Sequence, residues 1–189
     1  METLYDNAES REDNTPGVSL FNNALKYGVI TGVAYILLSL LLYSFDLSGN
    51  TWAGYVSFLV LIGGIVAGTI TYRDKHSGGY LSYKRCLGSG VLISLVAGVL
   101  MGIYSFVFFQ FFDPEMINKM LELAGQNMAD KGMTEDQIDQ AMNVTRKFMT
   151  PLWMTITSLL SIVFWGTIFS LIASIFIKKE DPNFDNIIA

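Results

Sequence analysis

Long apolar runs alternate with short polar connections along this chain. Tyr27–Phe45, Trp52–Tyr72, Leu87–Phe112 and Pro151–Ile177 contain no Asp, Glu, Lys, Arg or His. Each holds about 19 to 27 residues. A helix rises about 1.5 Å per residue, so roughly 20 residues cross the ~30 Å hydrocarbon core of a bilayer. Four membrane-spanning helices are predicted, the last two long enough to tilt or to extend past the membrane. The rest comprises an acidic segment 1–22, three connections and a tail 180–189, so residues 23–179 read as one membrane domain. The acidic segment has the composition of a disordered tail.

The one sizeable polar element, 113–150, shows helical rather than loop patterning. Asp113-Pro114-Glu115 reads as a helix start, with Asp113 as N-cap, Pro114 at the first helical position and Glu115 in the first turn. Met116, Ile117, Met120, Leu121 and Ala124 follow at helical spacing, and Gly132 ends the run. Thr134 and Gln137 have capping-box spacing, after which Ile138, Ala141, Met142, Thr145 and Met149 continue one face toward Pro151. Two amphipathic helices are predicted, forming an extramembrane hairpin between the third and fourth spans. Seven acidic against four basic residues make it a poor ligand for anionic lipid or nucleic acid. Its methionines (Met116, Met120, Met128, Met133, Met142, Met149) suit an adaptable apolar contact, first within the hairpin and then to the bundle or a partner.

Small residues recur every fourth position on the spans: Gly28 and Gly32; Gly64 and Gly68; Gly90, Ser94, Gly98 and Gly102; Gly166, Ser170 and Ser174. That step keeps them on one helix face. Lipid is as apolar as leucine, so membrane helices associate through close backbone approach, and these rows read as seams inside a four-helix bundle. A dimer seam or a narrow path along the third span is the alternative. Thr31, Ser39, Ser57, Thr69, Thr155, Thr157, Ser158 and Ser161 are expected to bond to the preceding turn's carbonyls.

Charge sets the orientation. With four spans, the N-terminus, 73–86 and the C-terminus share a side, carrying Arg11, Lys26, Arg73, Lys75, Lys84, Arg85, Lys178 and Lys179. The other side carries Lys119, Lys131, Arg146 and Lys147, so the positive-inside rule puts both termini in the cytoplasm. Lys84, Arg85, Lys178 and Lys179 sit where anionic lipid headgroups would meet them. Trp52, Tyr55, Tyr72, Tyr80, Tyr83 and Trp153 mark the span boundaries. Met1–Gly17 holds five acidic residues against Arg11 alone, which is not a cleavable signal; the first span is expected to insert uncleaved.

Catalytic chemistry is sparse. Cys86 and His76 are the sole cysteine and histidine, so an intramolecular disulfide and a multi-His or multi-Cys metal site are excluded, and no cofactor is expected. The spans carry no embedded carboxylate and no mid-depth proline, the usual marks of a proton- or ion-coupled transporter. Tyr35, Tyr104, Gln110 and Trp165 are the most polar large residues in them, either a small aromatic pocket or core filling.

Several of these pieces, in order, resemble the bacterial membrane family catalogued as domain of unknown function 4199. They are Tyr27-Gly28-Val29-Ile30, Tyr72-Arg73, Gly78-Gly79-Tyr80-Leu81-Ser82-Tyr83, Phe112-Asp113-Pro114-Glu115, Gln137-Ile138, Pro151 and Ile177-Lys178-Lys179. The likeness covers roughly residues 20–180; Tyr83 stands where the family carries Phe after the double-glycine loop. It implies a four-span integral membrane protein of unassigned activity, with no catalytic residues to carry over. The expectation is an all-α, multi-pass protein of the bacterial inner membrane, acting without catalysis through membrane lipids, a membrane-protein partner or a second copy. A small carrier or channel subunit for an uncharged or hydrophobic solute comes second. A lipid-modifying enzyme using Asp113 or His76 comes last.

Overall fold

A computed structural model describes residues 19–45, 47 and 51–179. Residues 1–18 of the segment expected to be disordered, most of the 46–51 turn and the 180–189 tail lie outside these residues. Among the described residues the protein is all-helical: α1 (Leu20–Ser44), α2 (Thr51–His76), α3 (Tyr83–Val107), a π-helical turn (Phe108–Phe112), α4 (Glu115–Asp130), α5 (Glu135–Phe148) and α6 (Pro151–Ile177). α1, α2, α3 with its π turn, and α6 are each long and apolar enough to cross a membrane, which makes this a multi-pass membrane protein.

The bundle is built on α3, which packs on α1, α2 and α6. A methyl group at Gly28 or Gly32 of α1 would run into Val96 or Leu100 of α3. At Gly64 of α2 it would overlap Thr31, and at Gly68 it would meet Ile93 and Tyr27. Along the α3–α6 seam, Gly90 faces Ser170, Gly166 faces Ser94, Gly98 faces Leu159 and Val163, and Gly102 faces Thr155 and Leu159. The descending partner numbers make these two helices antiparallel. Ser170 Oγ donates across this seam to the Leu87 carbonyl at 3.0 Å. Ser174, next on that row, is also buried.

Four details depart from the pattern read along the chain. Helix α1 starts at Leu20, inside the expected tail and well before the apolar run, with Ser19 Oγ accepting the Asn22 N–H at 3.3 Å. The extension has a physical cause: buried Asn23 donates from Nδ2 to the Gly68 carbonyl of α2 at 3.0 Å, so the bundle needs this turn. The third span is not one regular helix, because the turn at Phe108–Phe112 widens and the Asp113 N–H bonds back to the Phe108 carbonyl at 2.9 Å. At α4, Asp113 caps as expected, Oδ1 accepting the Met116 N–H at 3.1 Å. Pro114 occupies the turn, and the regular helix begins at Glu115.

The fourth concerns the hydroxyls. Thr31, Ser57, Thr155 and Ser158 donate to carbonyls of the preceding turn. Ser39 and Thr69 instead reach across helices, to Tyr104 OH and Ser89 Oγ, both at 3.4 Å. Every buried side-chain nitrogen and oxygen among the described residues has a hydrogen-bond partner, as interiors without water require.

Gly166→Ala should lower unfolding stability in detergent by about 1–3 kcal/mol, the cost of overpacking a tight seam. Gly63→Ala, whose added carbon meets nothing within 4 Å, should leave it unchanged or slightly raised. Matched thermal denaturation of the two variants tests this; equal melting temperatures would refute the seam.

Candidate functional site

Each end of the bundle carries polar chemistry, and the two ends are built differently. At the α4 end, the π turn swings Phe108 inward against Tyr43 and Tyr104, with ring centroids 5.1 Å and 5.6 Å away. It leaves Phe111 and Phe112 facing outward. The same widening brings Asp113 under α1, where its Oδ2 accepts the Tyr43 hydroxyl at 2.9 Å. Lys119 Nζ stands 3.9 Å from that oxygen, but its side chain is largely in solvent and the pair adds little.

Above this network lies a cavity of about 190 Å³ bounded by Ser39, Tyr43, Tyr104, Phe108, Met116 and Met120, among others. Its walls are mainly rings and thioethers, with a few hydroxyls. Clefts for drug-sized ligands run to roughly 300–1,000 Å³, whereas about 150 Å³ suffices for benzene. The space therefore fits a single-ring or short-chain molecule, mostly apolar, with at most one or two hydrogen-bonding groups. Among the described residues no group of His, Cys, Asp and Glu is arranged to hold a metal.

The opposite end is a backbone staple. Gly78 and Gly79 have φ of 61° and 87°, which residues with a Cβ adopt reluctantly. They reverse the chain after α2, and the Gly79 N–H closes on the Arg73 carbonyl at 2.9 Å. Leu81 then exchanges both backbone hydrogen bonds with Lys179, at 2.8 and 3.1 Å. Arg73 donates Nη1 to the Ile177 carbonyl at 3.0 Å. A helix leaves its last carbonyls without partners and presents a partial negative charge there, so a guanidinium at the end of α6 answers both needs. Arg73 Nε holds Asp74 at 2.7 Å, and Lys179 Nζ lies 5.5 Å from the centre of the Tyr80 ring.

The family model described as protein of unknown function (DUF4199) matches residues 26–179. The chain belongs to this family. No curated protein and no solved structure matches it. The matched region starts on α1 and ends at Lys179, so it includes both polar ends and the staple that closes the bundle.

Of the residues singled out from the sequence, Asp113 and Pro114 stand at the foot of α4 beside the cavity. Lys84, Arg85, Lys178 and Lys179 all lie at the stapled end, Lys84, Lys178 and Lys179 exposed and Arg85 half-buried. The large polar span residues do not form one pocket. Tyr104 lines the cavity, Tyr35 packs against the central core, Gln110 is exposed, and Trp165 sits with Phe58 and Phe169 between α2 and α6. Asn23, Tyr43 and Arg73 are the functional positions that span-by-span reading misses, since each acts on a helix distant in sequence. A signal for two of them exists: the adjacent glycines that fold 77–82 back onto α6, and the aromatic-rich run Phe108–Phe112 ahead of an Asp-Pro start.

Tyr43→Phe should cost about 1.5–3 kcal/mol, the value of a hydrogen bond to a charged acceptor, and should speed amide hydrogen exchange across 108–120. Exchange unchanged in that segment would show that the Tyr43–Asp113 contact does not hold the π turn. Gly79→Ala should cost about 1–2 kcal/mol of backbone strain, read as a lower melting temperature.

Proposed function

We propose that this protein is a non-enzymatic component of the bacterial inner membrane, with both termini cytoplasmic. On this reading the α4–α5 hairpin stands outside the bilayer on the far side and acts by contact with a membrane-protein partner or a second copy of the chain. One observation carries it. Neither α4 nor α5 contains a buried residue, although each has an apolar side. The two helices pack on each other and touch the bundle mainly at the π turn. Leu123, Val144 and Phe148 are each more than half exposed, and apolar groups left uncovered on polar helices mark contact surfaces. The hairpin's acidic excess disfavours anionic lipid as the covering surface. Gln137 Oε1 accepts the Thr134 N–H at 3.0 Å, anchoring the start of α5, so the hairpin is built to hold its shape.

The deciding experiment is native mass spectrometry of the protein taken from its own membrane in lipid nanodiscs. The expected result is a stoichiometric second protein or a homo-oligomer. A Leu123→Glu, Val144→Glu double variant should lose it while keeping its thermal stability. A lone monomer for the wild-type chain would overturn the reading.

The cavity near Tyr104 supports a second reading, a carrier for a small uncharged or hydrophobic solute. Reconstituted vesicles should then show solute flux above protein-free controls, reduced in Met120→Trp, where the larger side chain fills the space. No flux across a broad solute panel would dispose of it.

A further inference from the structure

A groove of about 410 Å³ runs between α2 and α6 on the outside of the bundle. Its walls are Ile62, Val66 and Ile70 from one helix and Phe169, Ile172 and Phe176 from the other, and Arg73 stands at one end. The groove exists because side-chain size changes along the seam. Phe58 meets Trp165 and Phe169 with ring centroids 5.2 and 5.5 Å away, holding the helices apart. Toward Arg73, Val66 and Ala173 are too small to fill the gap. Ile172 and Phe176 are 52% and 81% exposed, so the groove opens sideways toward lipid.

We propose that this groove is a binding site for an anionic glycerophospholipid, with one acyl chain between α2 and α6 and the phosphate at Arg73. Three properties select that occupant. From Ile62 to Arg73 the groove rises about 16 Å at ~1.5 Å per residue. One leaflet offers roughly half of a ~30 Å core, so the groove matches the depth of one leaflet. Its walls carry no charge until Arg73, as an acyl chain requires. At the mouth, the bonds to Asp74 and the Ile177 carbonyl engage only part of the guanidinium's fan of donors. A guanidinium suits phosphate well. Asp74 offsets one positive charge, but among the described residues Lys75, Lys178 and Lys179 leave this end of the bundle net positive. A zwitterionic headgroup brings its own cation to that field and gains less from it. This proposal is independent of the hairpin's partner, which concerns the other end of the molecule.

The test is native mass spectrometry of the full chain, delipidated in detergent and titrated with phosphatidylglycerol or phosphatidylcholine of matched chains. Wild type should retain phosphatidylglycerol several-fold better. Arg73→Gln should reduce that retention about fivefold or more, toward the phosphatidylcholine level, and Arg73→Lys should keep most of the preference. Ile172→Trp places bulk in the groove from its exposed side and leaves Arg73 and its contact with α6 in place. It should weaken both lipids while the melting temperature holds, so the site is testable even if Arg73→Gln unfolds. Equal retention of the two lipids by wild type would overturn the proposal. So would unchanged retention in Ile172→Trp, or a dimer cross-linked through Cys substituted at Ile172.

Discussion

Apolar helices in a bilayer gain little from hiding their side chains from lipid, so the packing here depends on how closely other backbones can approach α3. Gly90, Ser94, Gly98 and Gly102 leave that face nearly flat, and α6 lies along it with its own Gly166 and Ser170 facing in. On other sides of α3, Ile93 and Val96 reach into the space left by Gly28 and Gly68. Dispersion contacts at such short range take the place of the hydrophobic drive available in water. The hydroxyls on these faces bond to their own helix or to a neighbour, so close approach leaves no buried polar atom stranded.

That seam explains why both ends can be irregular. With the middle held by backbone contact, the α4 end tolerates a widened turn that trades a regular helical bond for an inward Phe108 and an anchored Asp113. The other end gives up helix altogether and ties Leu81 to Lys179 strand-fashion. The two devices differ in character. One is a side-chain network beside a cavity, open to substitution and to a small ligand. The other is mostly backbone and needs Gly78 and Gly79 to turn the chain.

The spans were legible because charge exclusion is a one-dimensional property, and the four apolar runs became the four long helices. Helix starts carried by local capping were legible as well: Asp113 and the Thr134–Gln137 pair each act within one turn. What escaped depends on distant partners. Asn23 looks like a polar residue in a tail until Gly68 is placed beside it, and Ser39 looks self-satisfied until Tyr104 arrives. The π turn was hidden because apolar periodicity does not distinguish a regular turn from one residue more. The groove was hidden too, since it belongs to two helices with α3, α4 and α5 between them in the chain.

The order of the helices along the chain bears on how the protein is made. α1, α2 and α3 emerge first and meet through contacts available early, such as Asn23 on Gly68 and Gly32 on Leu100. The partner for the flattest face of α3 is the last helix, and the closing bond from Arg73 to the Ile177 carbonyl joins residues 104 positions apart. During synthesis that face waits without its partner while α4 and α5 are produced. The small side chains that make the finished bundle tight also make its three-helix precursor unobtrusive. They offer little for a wrong helix to grip before the right one arrives.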